Sequence, residues 1–75
     1  MVATFILINS ESGKELELMN RLEEINDISE VHAVYGLYDI VVKVDGDQIA
    51  NKTSVLSKIR TLKGVVSTLT LATSG

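Results

Sequence analysis

The chain has 75 residues, which is enough for one domain with a small hydrophobic core. It has no cysteine and one histidine, His32, which excludes disulfides, thiolate zinc sites and a conventional histidine metal site. The net charge of −3 excludes the basic surface of an unaided nucleic-acid-binding domain, and no apolar run approaches the roughly 20 residues of a membrane span. We therefore expect one cytoplasmic domain over residues 1–75 that needs no cofactor and gains stability by self-association.

The first third of the chain predicts a strand followed by a helix. Residues Val2–Ile8 are apolar with one interruption, which is typical of a strand covered on both faces. The polar stretch Asn9–Glu11 predicts a turn, and Ser12 with Glu15 three residues later predicts a capping box at the helix start. The apolar stripe expected on this helix consists of Leu16, Met19, Leu22 and Ile25.

The middle of the chain predicts a β-hairpin. The segments Ser29–Tyr35 and Tyr38–Asp45 alternate as strands, and Gly36–Leu37 between them predicts a two-residue turn. His32, close to Glu30, is expected to face solvent or an interface, because no partners for nucleophilic or acid–base catalysis accompany it.

The last third predicts a second helix and a final strand. The stretch Asp45–Asp47 predicts a turn rather than a calcium loop, which would need later ligands, and Asp47 is a suitable N-cap. Gly64 is expected as the left-handed residue that ends the helix, before a strand over Val65–Thr73. The positions with a helical apolar period are Ile49, Thr53, Leu56, Ile59 and Leu62.

The order β-α-β-β-α-β predicts a ferredoxin-like α+β fold, with two helices on one face of a four-stranded antiparallel sheet. The other face would be bare, and it would carry apolar side chains because the first strand is apolar on both faces. A bare apolar face predicts that two sheets pack together in a symmetric dimer, a dimeric α/β barrel.

The central hairpin resembles that of the RAM domain, the ligand-binding half of the Lrp/AsnC transcription regulators. That family has a hydrophobic strand, a Gly-x-Tyr-Asp motif and an apolar strand, and Val31–Val44 contains Gly36-Leu37-Tyr38-Asp39. Gly64-Val65 followed by Thr68 and Thr70 is similar to the family's second helix end and last strand. The resemblance covers essentially all 75 residues, but the family's usual helix-turn-helix is lacking, so the chain resembles a stand-alone form.

The resemblance implies a homodimer, further assembly into higher homo-oligomers, and a free amino acid bound between dimers as the effector. It also implies full-length Lrp/AsnC regulators as partners in transcription regulation, without direct contact of this chain with nucleic acid. The ligand-binding residues that it implies are Tyr35, Gly36, Tyr38, Asp39, Thr68 and Thr70.

The chemistry of an amino acid fits these residues. Asp39 could accept a hydrogen bond from its ammonium group, while N–H groups near Gly36 and the hydroxyls of Thr68 and Thr70 could bind its carboxylate. The same residues also have purely structural interpretations: a positive φ for Gly36, local backbone bonds for Asp39, and ordinary strand formation for the threonines. Packing or an interface is the corresponding interpretation of the tyrosines.

Three alternatives stay open. One is an ACT-like regulatory domain with its ligand glycine after the first strand, which Asn9–Gly13 matches weakly. Another is a partner that assembles with full-length regulators without any ligand. The third is an enzyme built on a dimeric α/β barrel, which we do not expect, because the single histidine and the lack of cysteine leave no evident reactive group.

Overall fold

A computed structural model describes residues 3–45 and 49–73, apart from the side chains of Asp45 and of residues 49–53. The predicted order β-α-β-β-α-β and the α+β fold class are confirmed. The predicted N-cap at Asp47 and the predicted apolar contacts of Ile49 and Thr53 lie outside the described part. The elements are β1 (Ala3–Ser10), α1 (Glu15–Glu23), β2 (Ile28–Ala33), β3 (Ile40–Asp45), α2 (Ile49–Arg60) and β4 (Val65–Ala72).

The four strands form one sheet in the order β2-β3-β1-β4, and every neighbouring pair is antiparallel. Strand β1 lies in the interior, where Ile6 is directly opposite Val42 on one side and Thr70 on the other. Buried residues alternate with half-buried ones along β1, so one face of the strand packs against the helices and the other, although apolar, is covered only in part by the described residues. Asn9 and Ser10, predicted as a turn, belong to this strand.

The hydrophobic core lies between the sheet and the two helices. Alternate residues of β1 and β3 are buried, as the two-residue period of a strand requires. Each aliphatic side chain that is fully buried contributes roughly 1.5–3 kcal/mol relative to an exposed one. The core residues are Ile6, Ile8, Leu18, Leu22, Ile40, Val42, Val44, Val55 and Ile59.

Helix α1 buries a different stripe from the predicted one. Leu18 and Leu22 are buried, whereas Leu16 is 74% exposed. Steps of three residues drift around a helix of 3.6 residues per turn, so Leu16 and Ile25 point to opposite sides, and the stripe cannot include both. Leu22 was predicted correctly, while Leu16 was wrong and Leu18 was missed.

The start of α1 also differs from the prediction. The N-cap is Lys14, without a side-chain cap, and Ser12 lies in the preceding turn, so the capping box was wrong. Gly13 has φ +85°, a conformation that interrupts a helix, and the Glu15 carboxylate accepts a hydrogen bond from its N–H at 3.1 Å. The Glu15 side chain thus stabilises the turn before α1, and no serine side chain caps the helix.

Helix α2 is packed on the sheet by Val55 and Ile59, one turn apart, of which only Ile59 was predicted. The helix ends at Arg60, and Gly64 follows a short turn with φ +96°. The positive φ predicted for Gly64 is confirmed, although the residue lies beyond the helix end and immediately before β4.

Candidate ligand-binding site

The β2–β3 connection is longer than the predicted two-residue turn. The Val34 N–H donates to the Asp39 carbonyl at 2.9 Å, and the loop beyond this pair holds residues 35–38. Strand β2 ends at Ala33, which leaves Tyr35 and Tyr38 outside the strands to which they were assigned. The prediction failed because Gly36 was placed inside a tight turn, whereas its φ of +124° serves a wider loop.

Asp39 lies at the foot of this loop and is bonded to the end of β1. Its Oδ2 accepts hydrogen bonds from the Ser10 N–H at 2.9 Å and from the Ser10 hydroxyl at 3.3 Å. Its own N–H donates to the Ile8 carbonyl at 3.0 Å. The carboxylate is half-buried, and Oδ1 has no hydrogen bond within the described part of the chain, so that oxygen can accept a further donor.

The tip of the loop projects away from the protein. Tyr35 and Leu37 are fully or almost fully exposed, and Gly36 between them is also exposed. Tyr38 is half-buried beside Asp39. The described part of the chain does not enclose Tyr35, and large exposed apolar side chains on a loop favour contact with another molecule.

The two threonines lie on β4, on the other side of β1. Thr68 is opposite Ile8 and half-buried, and Thr70 is opposite Ile6 and exposed. Both therefore share the helix-bearing face of the sheet. Asp39 and Thr68 are near the same end of β1 but on opposite edges of it, two inter-strand spacings apart, which is about 9–10 Å.

A concave region lies elsewhere in the fold and was not predicted from the sequence. A cleft of about 610 Å³ separates α1 from the segment 61–65 that leads into β4, and none of the six predicted site residues lines it. Its charged lining consists of Glu11, Lys14, Glu17, Arg21 and Lys63. The i, i+3 and i+7 spacing of Lys14, Glu17 and Arg21 was the available signal, because the Gly64-Val65 step indicates a helix end and not the wall of a cleft.

The sheet face without helices carries an apolar patch, as predicted. Leu69 and Leu71 on β4 are 42% and 48% exposed, and the register places them opposite Leu7 and Phe5 of β1. Val41 of β3 shares this face through its pairing with Leu7. We call these five residues the open apolar face.

A charged cluster borders the open apolar face at the edge of β2 and β3. The His32 Nε2 lies 2.9 Å from Glu30 Oε1, and the Lys43 Nζ lies 3.6 Å from Glu30 Oε2. The hydrogen bond to His32 and then the charge of Lys43 hold the pKa of Glu30 below its ordinary value of 4.5. His32 is exposed and lies opposite Val41, in agreement with its predicted position facing solvent or an interface.

The fold identifies the class of domain to which this chain belongs. Residues 3–73 match the family model of the Lrp/AsnC ligand binding domain, so the chain belongs to that family. It is 36% identical over 67 residues to the HTH-type transcriptional regulator FL11 of Pyrococcus abyssi, covering 89% of this chain and 44% of that protein. The chain thus spans less than half of the regulator it matches.

Solved structures agree with this assignment. A hypothetical protein from Pyrococcus horikoshii superposes with a TM-score of 0.87 at 35% identity, covering 99% of this chain and 90% of that one. AsnC of E. coli superposes with a TM-score of 0.87 at 31% identity, covering 96% of this chain and 50% of that one. The resemblance seen in the Gly-x-Tyr-Asp hairpin is confirmed.

One relative of another kind is an enzyme. Homocitrate synthase of Saccharolobus islandicus is 44% identical over 50 residues, which cover 67% of this chain but 11% of that enzyme. Because the match covers so little of the enzyme, the transcriptional regulators are the more informative relatives for the class of this domain. Among the described residues, no helix has the length and apolarity that crossing a membrane requires.

Proposed function

We propose that this chain is an amino-acid-binding, self-associating regulatory module of the Lrp/AsnC kind that acts in the cytoplasm and does not contact DNA through these residues. Membership of the ligand-binding domain family supports the proposal, as do relatives that are named transcriptional regulators. The observation that carries amino-acid binding is the Asp39 carboxylate, oriented by Ser10 through Oδ2 and left with Oδ1 to accept an ammonium group.

The remaining predicted residues supply the other half of an amino-acid site. The exposed backbone at Gly36 allows close approach of a ligand, and the Thr68 hydroxyl is a donor for a carboxylate. Since Tyr35 and Leu37 project from the molecule, we infer that the site is completed between subunits, where the exposed loop of one contacts another. Thr70 would then contact the ligand or the neighbouring subunit.

Self-association through the open apolar face is the second part of the proposal. Leu69 and Leu71 keep nearly half of their surface exposed in the single chain, and a second sheet packed about 10 Å away would cover them. At roughly 25 cal/mol per Å² of apolar surface, covering this face favours a dimer. The same face would also fit the sheet of a full-length regulator, which makes such regulators proposed partners.

Thermal unfolding with each of the twenty amino acids at millimolar concentration tests ligand binding. A ligand at 100 times its Kd stabilises the folded state by about 2.7 kcal/mol and raises the melting temperature. Asp39→Asn and Thr68→Val should reduce the increase, whereas Asp27→Asn, at an exposed carboxylate 3.9 Å from Lys58, should preserve it in full. If none of the twenty changes the melting temperature, amino-acid binding is wrong.

Sedimentation measurements test the association. Leu69→Lys should shift the protein towards monomers, because a charge cannot be buried unpaired between two sheets. Leu16→Lys is the matched control, since Leu16 is also exposed but lies on α1. Equal behaviour of the two variants would contradict dimerisation through this face.

A further inference from the structure

The cleft between α1 and segment 61–65 is built within a single chain. The Glu11 N–H donates to the Gly64 carbonyl at 2.8 Å. This hydrogen bond holds the turn before α1 against segment 61–65, which forms the opposite wall. Gly64 also lies so close to Lys14 that a Cβ at Gly64 would be 3.3 Å from the Lys14 Cβ. The two walls therefore hold their spacing without any partner subunit, unlike the loop at Tyr35.

The wall formed by α1 presents one face to the cleft. Lys14, Glu17 and Arg21 recur at steps of three and four residues, so they stand above one another on the same side of the helix. Leu18, on the same side, is buried at the base of the cleft, and Val65 is half-buried beside it. The cleft thus has an apolar base and a charged rim.

The cations on this rim form no ion pair with a carboxylate of the described residues. Lys14, Arg21 and Lys63 are three of the seven Lys and Arg residues in a chain of net charge −3, yet within residues 3–45 and 49–73 they form no ion pair. Lys43 and Lys58, by contrast, both lie beside carboxylates. Three unpaired cations around one concavity attract an anionic group.

The carboxylates on the same rim restrict which anion can bind. Glu11 and Glu17 would repel a phosphate or another polyanion, but they can accept hydrogen bonds from an ammonium group. A ligand with one carboxylate and one ammonium group satisfies both signs of charge, and an apolar side chain would cover Leu18 and Val65.

We propose that this cleft is a second binding site, separate from the hairpin, for a small zwitterion with an apolar side chain. The ligand carboxylate is bound by Lys14 and Lys63 with Arg21 nearby, and its ammonium group by Glu11 and Glu17. All residues that line the cleft belong to one protomer. The zwitterion therefore binds whether or not the protein associates through its open apolar face.

Isoleucine, N-acetyl-isoleucine and isoleucinamide are suitable probes, because the last two lack the ammonium and the carboxylate charge in turn. The readout is the chemical shift of backbone amides in ¹⁵N-labelled protein. Isoleucine should move the Glu11 and Gly64 signals in a saturable manner, and each blocked derivative should bind at least fivefold more weakly. Equal binding by a blocked derivative would overturn the zwitterion assignment.

Charge variants locate the site. The double substitution Lys14→Gln and Lys63→Gln should weaken isoleucine binding at least tenfold, whereas Lys58→Gln, a cation outside the cleft, should leave it unchanged. If Lys58→Gln weakened isoleucine binding as much as the double substitution, the loss would come from the net charge of the protein, and the cleft would not be the site. Shifts confined to Gly36 and Asp39 would overturn the cleft and support the hairpin site, while no shift anywhere would count against both.

Discussion

The carboxylate of Asp39 joins two strands that are distant in sequence, because its Oδ2 accepts the N–H of Ser10 at 2.9 Å. This bond connects the end of β1 to the start of β3, at the point where the regular ladder between them stops. Asp39 therefore has a structural function that is independent of any ligand. Because Oδ2 is held by Ser10, the orientation of the carboxylate and the direction of Oδ1 are fixed as well.

The first prediction concerns this bond. Asp39→Ala should lower the free energy of unfolding by about 1.5–3 kcal/mol, the usual contribution of a hydrogen bond to a charged group. Urea denaturation measures the change. Asp27→Ala, which removes an exposed carboxylate 3.9 Å from Lys58, should cost under about 1 kcal/mol. Equal losses in the two variants would show that the Ser10 bond contributes nothing specific.

The sequence predicted the fold well because the fold depends on periodicity. The apolar run of β1, the alternation in β3 and the helical period of α1 each extend over many residues, so no single residue can obscure them. The predicted bounds of β4 differ from the observed Val65–Ala72 by one residue for the same reason.

The site was harder to predict because it depends on contacts between distant segments. Asp39 was expected to bond local backbone or a ligand, whereas its partner Ser10 lies 29 residues away. Nothing in the sequence around residues 61–65 indicates that they face Lys14 across a cleft. The cap predicted at Ser12 and the two-residue turn predicted at Gly36 were both wrong, because the positive φ of Gly13 and of Gly36 fits several loop geometries that sequence does not distinguish.

A second prediction separates backbone strain from steric contact at two glycines. Gly13→Ala and Gly64→Ala both place a Cβ in the left-handed region, which costs about 1–2 kcal/mol. Within the described part of the chain, a Cβ would meet a neighbour only at Gly64, where the Lys14 Cβ lies at 3.3 Å, so that substitution should cost more. Urea midpoints measure both, and an equal or smaller loss at Gly64 would contradict the close packing of that wall.

A third prediction concerns pH. The hydrogen bond to His32 lowers the pKa of Glu30 in the folded state from 4.5, so this stabilisation is complete above the unfolded-state pKa and disappears as pH falls through the lowered value. The difference in free energy of unfolding between the wild type and Glu30→Gln should therefore shrink as pH drops below 4.5. Urea titrations from neutral to acidic pH measure it.

The control for that experiment is Glu23→Gln, an exposed carboxylate on α1 without an ion pair in the described part of the chain. Its difference from the wild type should vary less with pH than that of Glu30→Gln. A difference that stays constant for Glu30→Gln across the acidic range would contradict a folded-state interaction of this carboxylate with His32 and Lys43.

The last prediction concerns Thr4, which is fully buried on the helix-bearing face of β1 with a hydroxyl that has no hydrogen-bond partner among the described residues. An unpaired buried hydroxyl costs about 1–3 kcal/mol, and valine has nearly the same shape, so Thr4→Val should raise the free energy of unfolding by about 1 kcal/mol or more. Thr4→Ser keeps the hydroxyl and removes the methyl group, so it should lower stability. Urea denaturation compares the three proteins, and a loss of stability in Thr4→Val would show that the hydroxyl is hydrogen-bonded in solution.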